Sequence, residues 1–405
     1  MTSDTATALG LLRIGERETV VTETDGVPTL INQFWGTRQR EGHSLQEVSY
    51  RACFKPELPR FFVERFSAPS DVVYDPFMGR GTTPIEALLC GRVPFGNDVN
   101  PIARVFCEPR LAPPRLSAVV DRLKAIPRDG AEPAPDELLV FFHPDTLREI
   151  AALRDHLLRR ERDGTLDAVD RWIRMVAANR LTGHSDGFFS GYTMPPNQAV
   201  TIGGQKRINE RLGRTPPYRR IDERIVRKSK QLLADVGMFE PAAELRERAQ
   251  LSTGDAAHTP GIADEAVALI VTSPPFLDVI AYRHDHWLRS WFCGIDLSTV
   301  KIPLARNLAS WRLQMTDVFR ELHRVLRPGG HIAFEVGEIR NQGRRDGGMR
   351  LEETVLPCGR DAGLEPVAVL IHDATFTKTA ICWGIENNRG GTNTNRVVLF
   401  RKSSG

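Results

Sequence analysis

Residues 72–98 contain the pattern that most constrains the fold of this chain. An apolar run at 72–75 ends in an acidic residue and is followed by a turn that contains two glycines. Residues 84–90 have helical character and stop at Gly91, and residues 93–98 have strand character. A strand, a glycine turn, a helix and a strand form the βαβ unit of an open parallel sheet. We therefore expect an α/β fold with a mainly parallel sheet.

The rest of the chain divides where its periodicity changes. Helical periodicity follows the proline-rich residues 127–135, and strand character returns at 267–272, 331–336 and 396–401, with a helix at 311–326. We predict an N-terminal arm at 1–45, a first sheet portion at 46–110, a mostly helical insertion at 111–250 and a second sheet portion at 251–405. A chain of 405 residues is long enough for such an arrangement.

Charge and cysteine usage exclude several classes of protein. The net charge of +3 is small, so nucleic-acid binding would need a basic face rather than a basic total. The six cysteines form no short Cys-x-x-Cys pair, and His284 and His286 would point to different sides of a helix, so we expect no metal.

No run reaches the ~18 apolar residues of a membrane span, and residues 1–10 lack a signal-peptide pattern. We expect a cytoplasmic protein without a membrane partner.

The turn after the first strand predicts a ligand site. Gly79 and Gly81 let the backbone turn tightly and approach a ligand at the carboxyl end of the strand. Pro84 stands where the dinucleotide-binding motif needs its third glycine, which disfavours a pyrophosphate-bearing cofactor. Asp98 ends the second strand, about 20 residues after the turn, where an acidic side chain reaches ribose hydroxyls in sheets of this kind.

A second motif, Thr-Ser-Pro-Pro-Phe at 272–276, directly follows an apolar strand. The Ser273 hydroxyl and the Pro274 carbonyl can accept hydrogen bonds from an amino group, and Phe276 can stack on an extruded base. The lone pair of an exocyclic base amine is delocalised into the ring, so acceptors that hold its protons out of plane make the nitrogen more nucleophilic. The motif therefore favours methylation of an amino group.

Together the two motifs resemble those of the DNA amino-methyltransferases of the restriction–modification type. In that family the Asp-Pro-Phe-x-Gly-x-Gly-Thr loop holds S-adenosylmethionine, and Ser-Pro-Pro-Tyr or Asp-Pro-Pro-Tyr is the catalytic tetrapeptide. Residues 54–59 and 254–256 resemble two further cofactor-binding segments. The resemblance implies that catalysis rests on Ser273, Pro274, Pro275 and Phe276. The cofactor residues that it implies are Lys55, Pro56, Asp75, Phe77, Gly79, Gly81, Thr82, Thr83, Asp98, Asp255 and Ala256.

The resemblance also sets expectations for fold, substrate and partners. It implies a Rossmann-like methyltransferase fold, direct methyl transfer to a flipped base of double-stranded DNA, and a cognate restriction endonuclease as a candidate partner. Ser273 favours cytosine N4, since adenine-N6 enzymes more often carry Asp or Asn there. Phe276 replaces the usual tyrosine, and the glycine loop precedes the tetrapeptide, the reverse of many Ser-Pro-Pro enzymes. The alternatives are an adenine-N6 enzyme, an RNA amino-methyltransferase and an inactive DNA-binding protein.

A basic tract lies at 180–230, inside the helical insertion, and is interleaved with aromatic and turn residues at 187–197. Arginine and lysine neutralise phosphates, and loop side chains contact bases, so the tract predicts a DNA-binding surface. The alternative is a solvated helix face, because apolar residues recur at helical spacing between 221 and 236. The candidate DNA-binding residues are Lys206, Arg207, Arg211, Arg219 and Arg220.

Overall fold

A nine-stranded sheet forms the centre of the chain in the computed structural model. The structure describes residues 9, 18–35, 42–50, 53–127, 132–193, 201–237, 242–275, 282–300, 305, 307–336, 338–339, 349–373 and 395–404. The strands are β1 (Val20–Thr24), β2 (Val27–Asn32), β3 (Val72–Asp75), β4 (Val93–Asp98), β5 (Gln250–Thr253), β6 (Val267–Thr272), β7 (Leu326–Val336), β8 (Glu338–Ile339), β9 (Met349–Arg350), β10 (Glu365–His372) and β11 (Asn395–Arg401).

Helices cover the sheet and form the segment between β4 and β5. They are α1 (Glu57–Phe66), α2 (Thr82–Leu89), α3 (Pro101–Leu111), α4 (Leu116–Ala125), α5 (Pro144–Arg162), α6 (Ala168–Arg180), α7 (Ile202–Leu212), α8 (Ile221–Leu232), α9 (Ala243–Glu247), α10 (Tyr282–Cys293), α11 (Leu308–Val325) and α12 (Leu351–Asp361). Short 3-10 helices lie at Ser44–Gln46 and Asp136–Val140. In the part of the chain that the structure describes, no helix has the length and apolar character needed to span a membrane.

The strand order of the main sheet is β1-β2-β10-β11-β7-β6-β3-β4-β5. Strands β1 and β11 run antiparallel to their neighbours, and all other neighbouring strands pair in parallel. Strands buried on both faces favour continuous apolar runs, as in β6, where all six residues are buried. The expected α/β fold class with a mainly parallel sheet and a large helical segment is confirmed.

The predicted βαβ unit corresponds to β3, α2 and β4. Helix α2 begins at Thr82, two residues before the predicted start, because Gly81 adopts a left-handed conformation (φ 83°) directly before it. Strand β7 begins at Leu326, five residues before the predicted start, because Leu326 pairs with Val267 ahead of an irregularity in the register. Local sequence signals placed these elements but not their ends.

The predicted N-terminal arm contains a hairpin that extends the sheet. Strands β1 and β2 pair with each other, and β2 pairs in parallel with β10, with Leu30 opposite Leu370. Val27 and Leu30 are buried, which anchors the hairpin. The segment therefore forms one edge of the sheet.

Helices α4 to α9 lie within the predicted insertion, and they pack on one another and on α3. The indole Nε1 of Trp172 on α6 donates to Ser229 Oγ on α8 at 3.0 Å, and both side chains are buried. The buried Arg110 on α3 donates to the carbonyl of Leu45 at 2.9 Å. The division of the chain into four parts stays a prediction, although these helices occupy the predicted range.

The sheet changes direction at β3, and this determines where the site lies. The chain passes from β3 to β4 on one side, whereas β6 pairs with β3 on the other. Connections that leave a strand in opposite directions open a crevice at the carboxyl ends of the strands. Asp75, Asp98 and Thr272 end the three strands at this point.

Candidate active site

Asp75 lies at the floor of the crevice and is 1% exposed. Its Oδ1 accepts hydrogen bonds from the Thr272 hydroxyl at 2.6 Å and from the Phe77 amide at 3.0 Å. Burial raises the pKa of the Asp75 carboxyl to about 7, and the hydrogen bond from Thr272 opposes that rise. Asp75 thus joins the end of β3 to the end of β6, so it fixes both loops that begin there.

Asp98 holds the glycine turn against β4. Its Oδ2 accepts a hydrogen bond from the amide of Gly79 at 2.9 Å, and its Oδ1 accepts one from the amide of Asn100 at 2.8 Å. Gly79 has a φ of 49°, a conformation that favours glycine. The residue is half-buried, and burial raises the pKa of its carboxyl to about 6. Each carboxylate oxygen has a second lone pair, so Asp98 can still accept hydrogen bonds from a ligand in the crevice.

Gly81 is required by packing as well as by conformation. Its φ is 83°, and a Cβ at this position would stand 2.4 Å from Sγ of the buried Cys107 on α3. Its amide donates to the carbonyl of Met78 at 2.6 Å, which closes the turn. The backbone of the loop can therefore approach both α3 and a ligand closely only with glycine here.

The threonines after the turn tether the loop to the protein. The Thr83 hydroxyl donates to the carbonyl of Val271 at 3.0 Å, and the Gln46 side-chain amide donates to the carbonyl of Thr82 at 3.1 Å. Both threonines are buried. Arg80 donates to the carbonyl of Gln46 at 3.1 Å. Thr82 and Thr83 therefore hold the loop in place, Thr82 through its backbone carbonyl and Thr83 through its hydroxyl.

Asp255 and Ala256 follow β5 at the same edge of the sheet. Asp255 is exposed, and its Oδ1 accepts a hydrogen bond from the amide of Ala257 at 2.9 Å. Ala256 is 5% exposed. The Asn97 side-chain amide donates to the carbonyl of Gly254 at 3.0 Å, which joins this turn to β4. Asp255 therefore caps its own turn while its carboxylate remains accessible.

Lys55 and Pro56 precede α1 on the other side of the crevice. The Lys55 carbonyl accepts a hydrogen bond from the Leu58 amide at 3.1 Å. Burial lowers the pKa of His372 to about 4, and the charge of Lys55 contributes to the shift. His372 ends β10. Strands β10 and β7 both pair antiparallel with β11, so β10 and β7 run in the same direction. Lys55 is therefore near the same edge of the sheet as the ends of β3 and β4.

Ser273 directly follows β6 and contacts a carboxyl group that the sequence analysis did not select. Its hydroxyl hydrogen-bonds the Glu335 side chain on β7. Glu335 is 7% exposed, and burial raises the pKa of its carboxyl to about 7, a rise that the hydrogen bond from Ser273 opposes. Asn395 on β11 donates its side-chain amide to Glu335 Oε1 at 3.3 Å.

The two prolines have different environments. The carbonyl of Pro275 accepts a hydrogen bond from the indole Nε1 of Trp311 at 3.0 Å, which fixes the segment to α11. Among the residues that the structure describes, none donates to the carbonyl of Pro274, and Pro274 is buried. Phe276 lies outside the described residues. The acceptors expected of Ser273 and Pro274 therefore lie side by side at the carboxyl end of β6.

The predicted DNA-binding residues separate into two groups. Lys206, Arg207 and Arg211 are exposed on α7. Arg220 is also exposed, and its Nη2 lies 2.5 Å from Oδ2 of Asp222. These four side chains are accessible to a polyanion.

Arg219 has a different environment. Its side chain is 14% exposed, and its Nη1 donates to the carbonyls of Ser185 and Phe188, both at 3.0 Å, and to that of Ser190. Three carbonyls of one loop thus share this guanidinium group. Its contacts hold the loop at 183–192 together.

Several residues of the site were missed from sequence. The clearest is Glu335, an acidic residue in the otherwise apolar strand His331–Val336, and an acid in a buried strand is itself a signal. Thr272 and Asn97 were missed because their partners are distant in sequence. Within the described ranges, no group of three His, Cys, Asp or Glu side chains could hold a metal ion.

Comparison with known proteins agrees with the expected resemblance. A sequence profile described as DNA methylase matches residues 15–103, which include the glycine loop and Asp98. The type II methyltransferase M.MvaI of Kocuria varians is 22% identical over 258 residues, 56% of this chain and 52% of that protein. M.BsoBI of Geobacillus stearothermophilus is 20% identical over 313 residues, 70% of this chain and 58% of that protein. The solved structure of TrmN from Thermus thermophilus aligns over 89% of this chain and 51% of that one, with 11% identity and a TM-score of 0.34.

The glycine loop, Asp98 and the segment that begins at Ser273 meet at the carboxyl ends of β3, β4 and β6. The similarity of the chain to the DNA methylase profile and to curated type II methyltransferases agrees with the resemblance that the motifs carry. The chain spans about half the length of the curated relatives it matches.

Proposed function

We propose that this chain transfers a methyl group from S-adenosylmethionine to the exocyclic N4 amino group of cytosine in double-stranded DNA. The observation that carries the proposal is the position of Ser273 and Pro274 directly after Thr272, whose hydroxyl donates to Asp75 at the start of the glycine loop at 2.6 Å. This bond holds the segment with both expected acceptors, the Ser273 hydroxyl and the Pro274 carbonyl, beside the glycine loop. The relatives named as type II methyltransferases support the substrate class.

The crevice has the features that S-adenosylmethionine needs. Gly79 and Gly81 adopt positive φ and present backbone without a side chain, and Asp98 offers lone pairs to a ribose. Asp75 is buried and bonded within the protein, so it positions the two loops rather than touching the cofactor. The bound cofactor supplies an electrophilic methyl group, and Asp255 lies exposed where it can contact the nucleoside.

The protein's own groups act on the base. Ser273 Oγ and the Pro274 carbonyl accept the two amino hydrogens, which draws the nitrogen lone pair out of conjugation with the ring. Phe276 stacks on the extruded base, and Pro275, held by Trp311, keeps the acceptors in place. The nitrogen gains a methyl group and loses one proton. Ser273 Oγ takes up that amino proton while its own hydroxyl proton passes to the Glu335 carboxylate, whose pKa burial raises to about 7.

Duplex DNA is the proposed partner, contacted through the exposed cations of α7, and a cognate restriction endonuclease is a further proposed partner. We place the activity in the cytoplasm, where host DNA is available. Adenine N6 is the second candidate for the acceptor, because the same acceptors can hold its amino group.

One experiment separates the candidates. The purified chain is incubated with methyl-labelled S-adenosylmethionine and either genomic DNA or total RNA, and the labelled nucleoside is identified after digestion. Label in N4-methylcytosine is the expected result. Label in N6-methyladenine or in RNA would replace the proposed substrate, and label in neither nucleic acid would refute the proposed activity.

A further inference from the structure

A loop at 183–192 is surrounded by cationic side chains from three helices. Three arginines bond the loop itself, since Arg219 donates to its carbonyls and Asp186 accepts from Arg224 at 2.7 Å and from Arg227 at 3.2 Å. Asp186 is 68% exposed, so its charge is well hydrated. The surrounding cations are Arg180, Arg219, Arg224, Arg227, Lys228 and Arg289.

Arg180, the last residue of α6, forms no ion pair with any residue that the structure describes. It is 9% exposed, and its guanidinium group donates to the backbone carbonyl of Asn179 at 3.2 Å and to the Asn179 side chain at 2.5 Å. The ring of Phe188 lies 4.1 Å from its Cζ. Among the described residues, no carboxylate lies within ion-pair distance of Arg180, whereas Arg289 and Arg227 are both close enough to repel its charge.

Burying a cation among cations is unfavourable. Burial, together with the charges of Arg289 and Arg227, lowers the pKa of Arg180 to about 10. Lys228 is 7% exposed, and burial together with Arg180 lowers its pKa to about 8, while Glu47 lies 3.9 Å away. Buried charges in proteins are normally paired, because an unpaired buried charge is costly. A ligand of opposite charge would therefore stabilise this cluster.

Gly187 lies where two of these guanidinium groups converge. A Cβ on Gly187 would stand 4.0 Å from Arg180 Nη1 and 3.8 Å from Arg227 Nη2. Gly187 is half-buried, so the space between the two guanidinium groups reaches solvent. The hydroxyl of Ser185 is also near, 3.6 Å from the same point. Two guanidinium groups and a hydroxyl that converge on one position suit an oxyanion with several acceptor atoms.

The cluster is connected to the crevice. Arg289 on α10 and Asn179 both donate to the carbonyl of Ser49, at 3.2 and 3.0 Å. The next residue, Tyr50, has a ring carbon 3.5 Å from the point where a Cβ on Gly79 would stand. Ser49 and Tyr50 therefore connect the cationic cluster to the glycine loop.

We propose that Arg180 and Arg227, with Gly187 between them, bind a backbone phosphate of the nucleic acid near the target base. The proposal rests on the proposed function for the identity of the ligand. The same chemistry could serve the carboxylate of the cofactor, and the test distinguishes these two oxyanions.

The substitution Gly187→Asp supplies a carboxylate between the two guanidinium groups, and Gly187→Asn supplies the same shape without charge. Binding of a fluorescein-labelled 20-base-pair duplex is measured by anisotropy from 50 to 200 mM NaCl. For Gly187→Asp we expect affinity about tenfold weaker and a salt slope smaller by about 1. For Gly187→Asn we expect affinity within about twofold of the wild type. Equal losses in both variants, or none in either, would overturn the proposal.

Two further measurements use no methyl transfer. In sodium phosphate, compared with NaCl at equal ionic strength, the wild type should melt at higher temperature, and Gly187→Asp should lose that gain. The affinity for S-adenosylmethionine should be unchanged in Gly187→Asp. A weaker cofactor affinity with unchanged DNA affinity would assign the site to the cofactor and overturn the proposal. Phosphate-specific stabilisation without DNA methylation would refute the proposed function alone.

Discussion

The hydroxyl of Thr272, the last residue of β6, donates to Oδ1 of Asp75, the last residue of β3, at 2.6 Å. The two residues are 197 positions apart in sequence, and both are buried. This bond joins the loop that begins the candidate cofactor site to the loop that carries Ser273. A change at either residue should therefore alter both loops.

Replacing Thr272 by valine keeps the shape of the side chain but removes the donor. Asp75 then loses one of its hydrogen bonds inside the protein, and we expect a cost of about 1–3 kcal/mol in the free energy of unfolding. Urea denaturation measures it. Thr272→Ser keeps the hydroxyl and should lose less than half as much, so equal losses would show that the methyl group matters and the bond does not.

Gly81→Ala tests the close approach of the loop to α3. The new Cβ would stand 2.4 Å from Cys107 Sγ, in addition to the strain of a φ of 83°. Gly91→Ala is the matched control, because Gly91 has a φ of 75° and no atom within 4 Å of the added Cβ. We expect Gly91→Ala to cost about 1 kcal/mol and Gly81→Ala at least about 2 kcal/mol more. Similar costs in urea denaturation would contradict the packing constraint.

Ser273→Ala should separate chemistry from cofactor binding. Its hydroxyl faces Glu335 and the proposed base, while the glycine loop is held by other contacts. We expect the rate of methyl transfer to fall by at least about 100-fold, with the dissociation constant of S-adenosylmethionine within about twofold of the wild type. Single-turnover assays and calorimetry measure the two quantities. Ser298→Ala, at an exposed serine, is the control. Loss of both functions would reassign Ser273 to the cofactor site.

Glu335→Gln should change how stability depends on pH. The ordinary pKa of a glutamate is 4.5, and burial raises that of folded Glu335 to about 7. Its contribution to stability is therefore fully present below pH 4.5 and is lost as the pH rises through about 7. Glutamine stays neutral, so between pH 4 and pH 8 the variant should gain up to about 3 kcal/mol relative to the wild type. Urea denaturation at both pH values measures this, and parallel curves would contradict the raised pKa.

Arg219 and Arg211 should behave differently although both lie in the basic tract. Arg219→Ala removes the donor for three loop carbonyls, so we expect a loss of about 2 kcal/mol in unfolding free energy. Arg211 is exposed, and Arg211→Ala should change stability by no more than about 0.5 kcal/mol. The Arg211 variant should weaken DNA binding with a smaller salt slope. Denaturation and anisotropy measure the two effects, and a stability loss at Arg211 would contradict its assignment as an exposed DNA contact.

Much of the site was predictable because its motifs are local. The turn with Gly79 and Gly81 needs glycine because of its backbone conformation. Asp98 ends the second strand of the same βαβ unit, so the glycines and the aspartate can both be found from a short stretch of sequence. The α/β class could also be predicted, because strand and helix patterns are read from neighbouring residues. The assignment of cytosine N4, which depends on Ser273 and the resemblance, stays a prediction.

The sequence by itself determined the βαβ unit, the glycine turn and the placement of Ser273 after a buried strand. The tertiary structure alone decided that Glu335 faces Ser273, that Thr272 bonds Asp75 and that Arg180 lies close to Arg289 and Arg227. The physical reason is that conformational preferences act over a few neighbouring residues. Hydrogen bonds, burial and charge repulsion instead act between groups that strand order and helix packing bring together from distant parts of the chain.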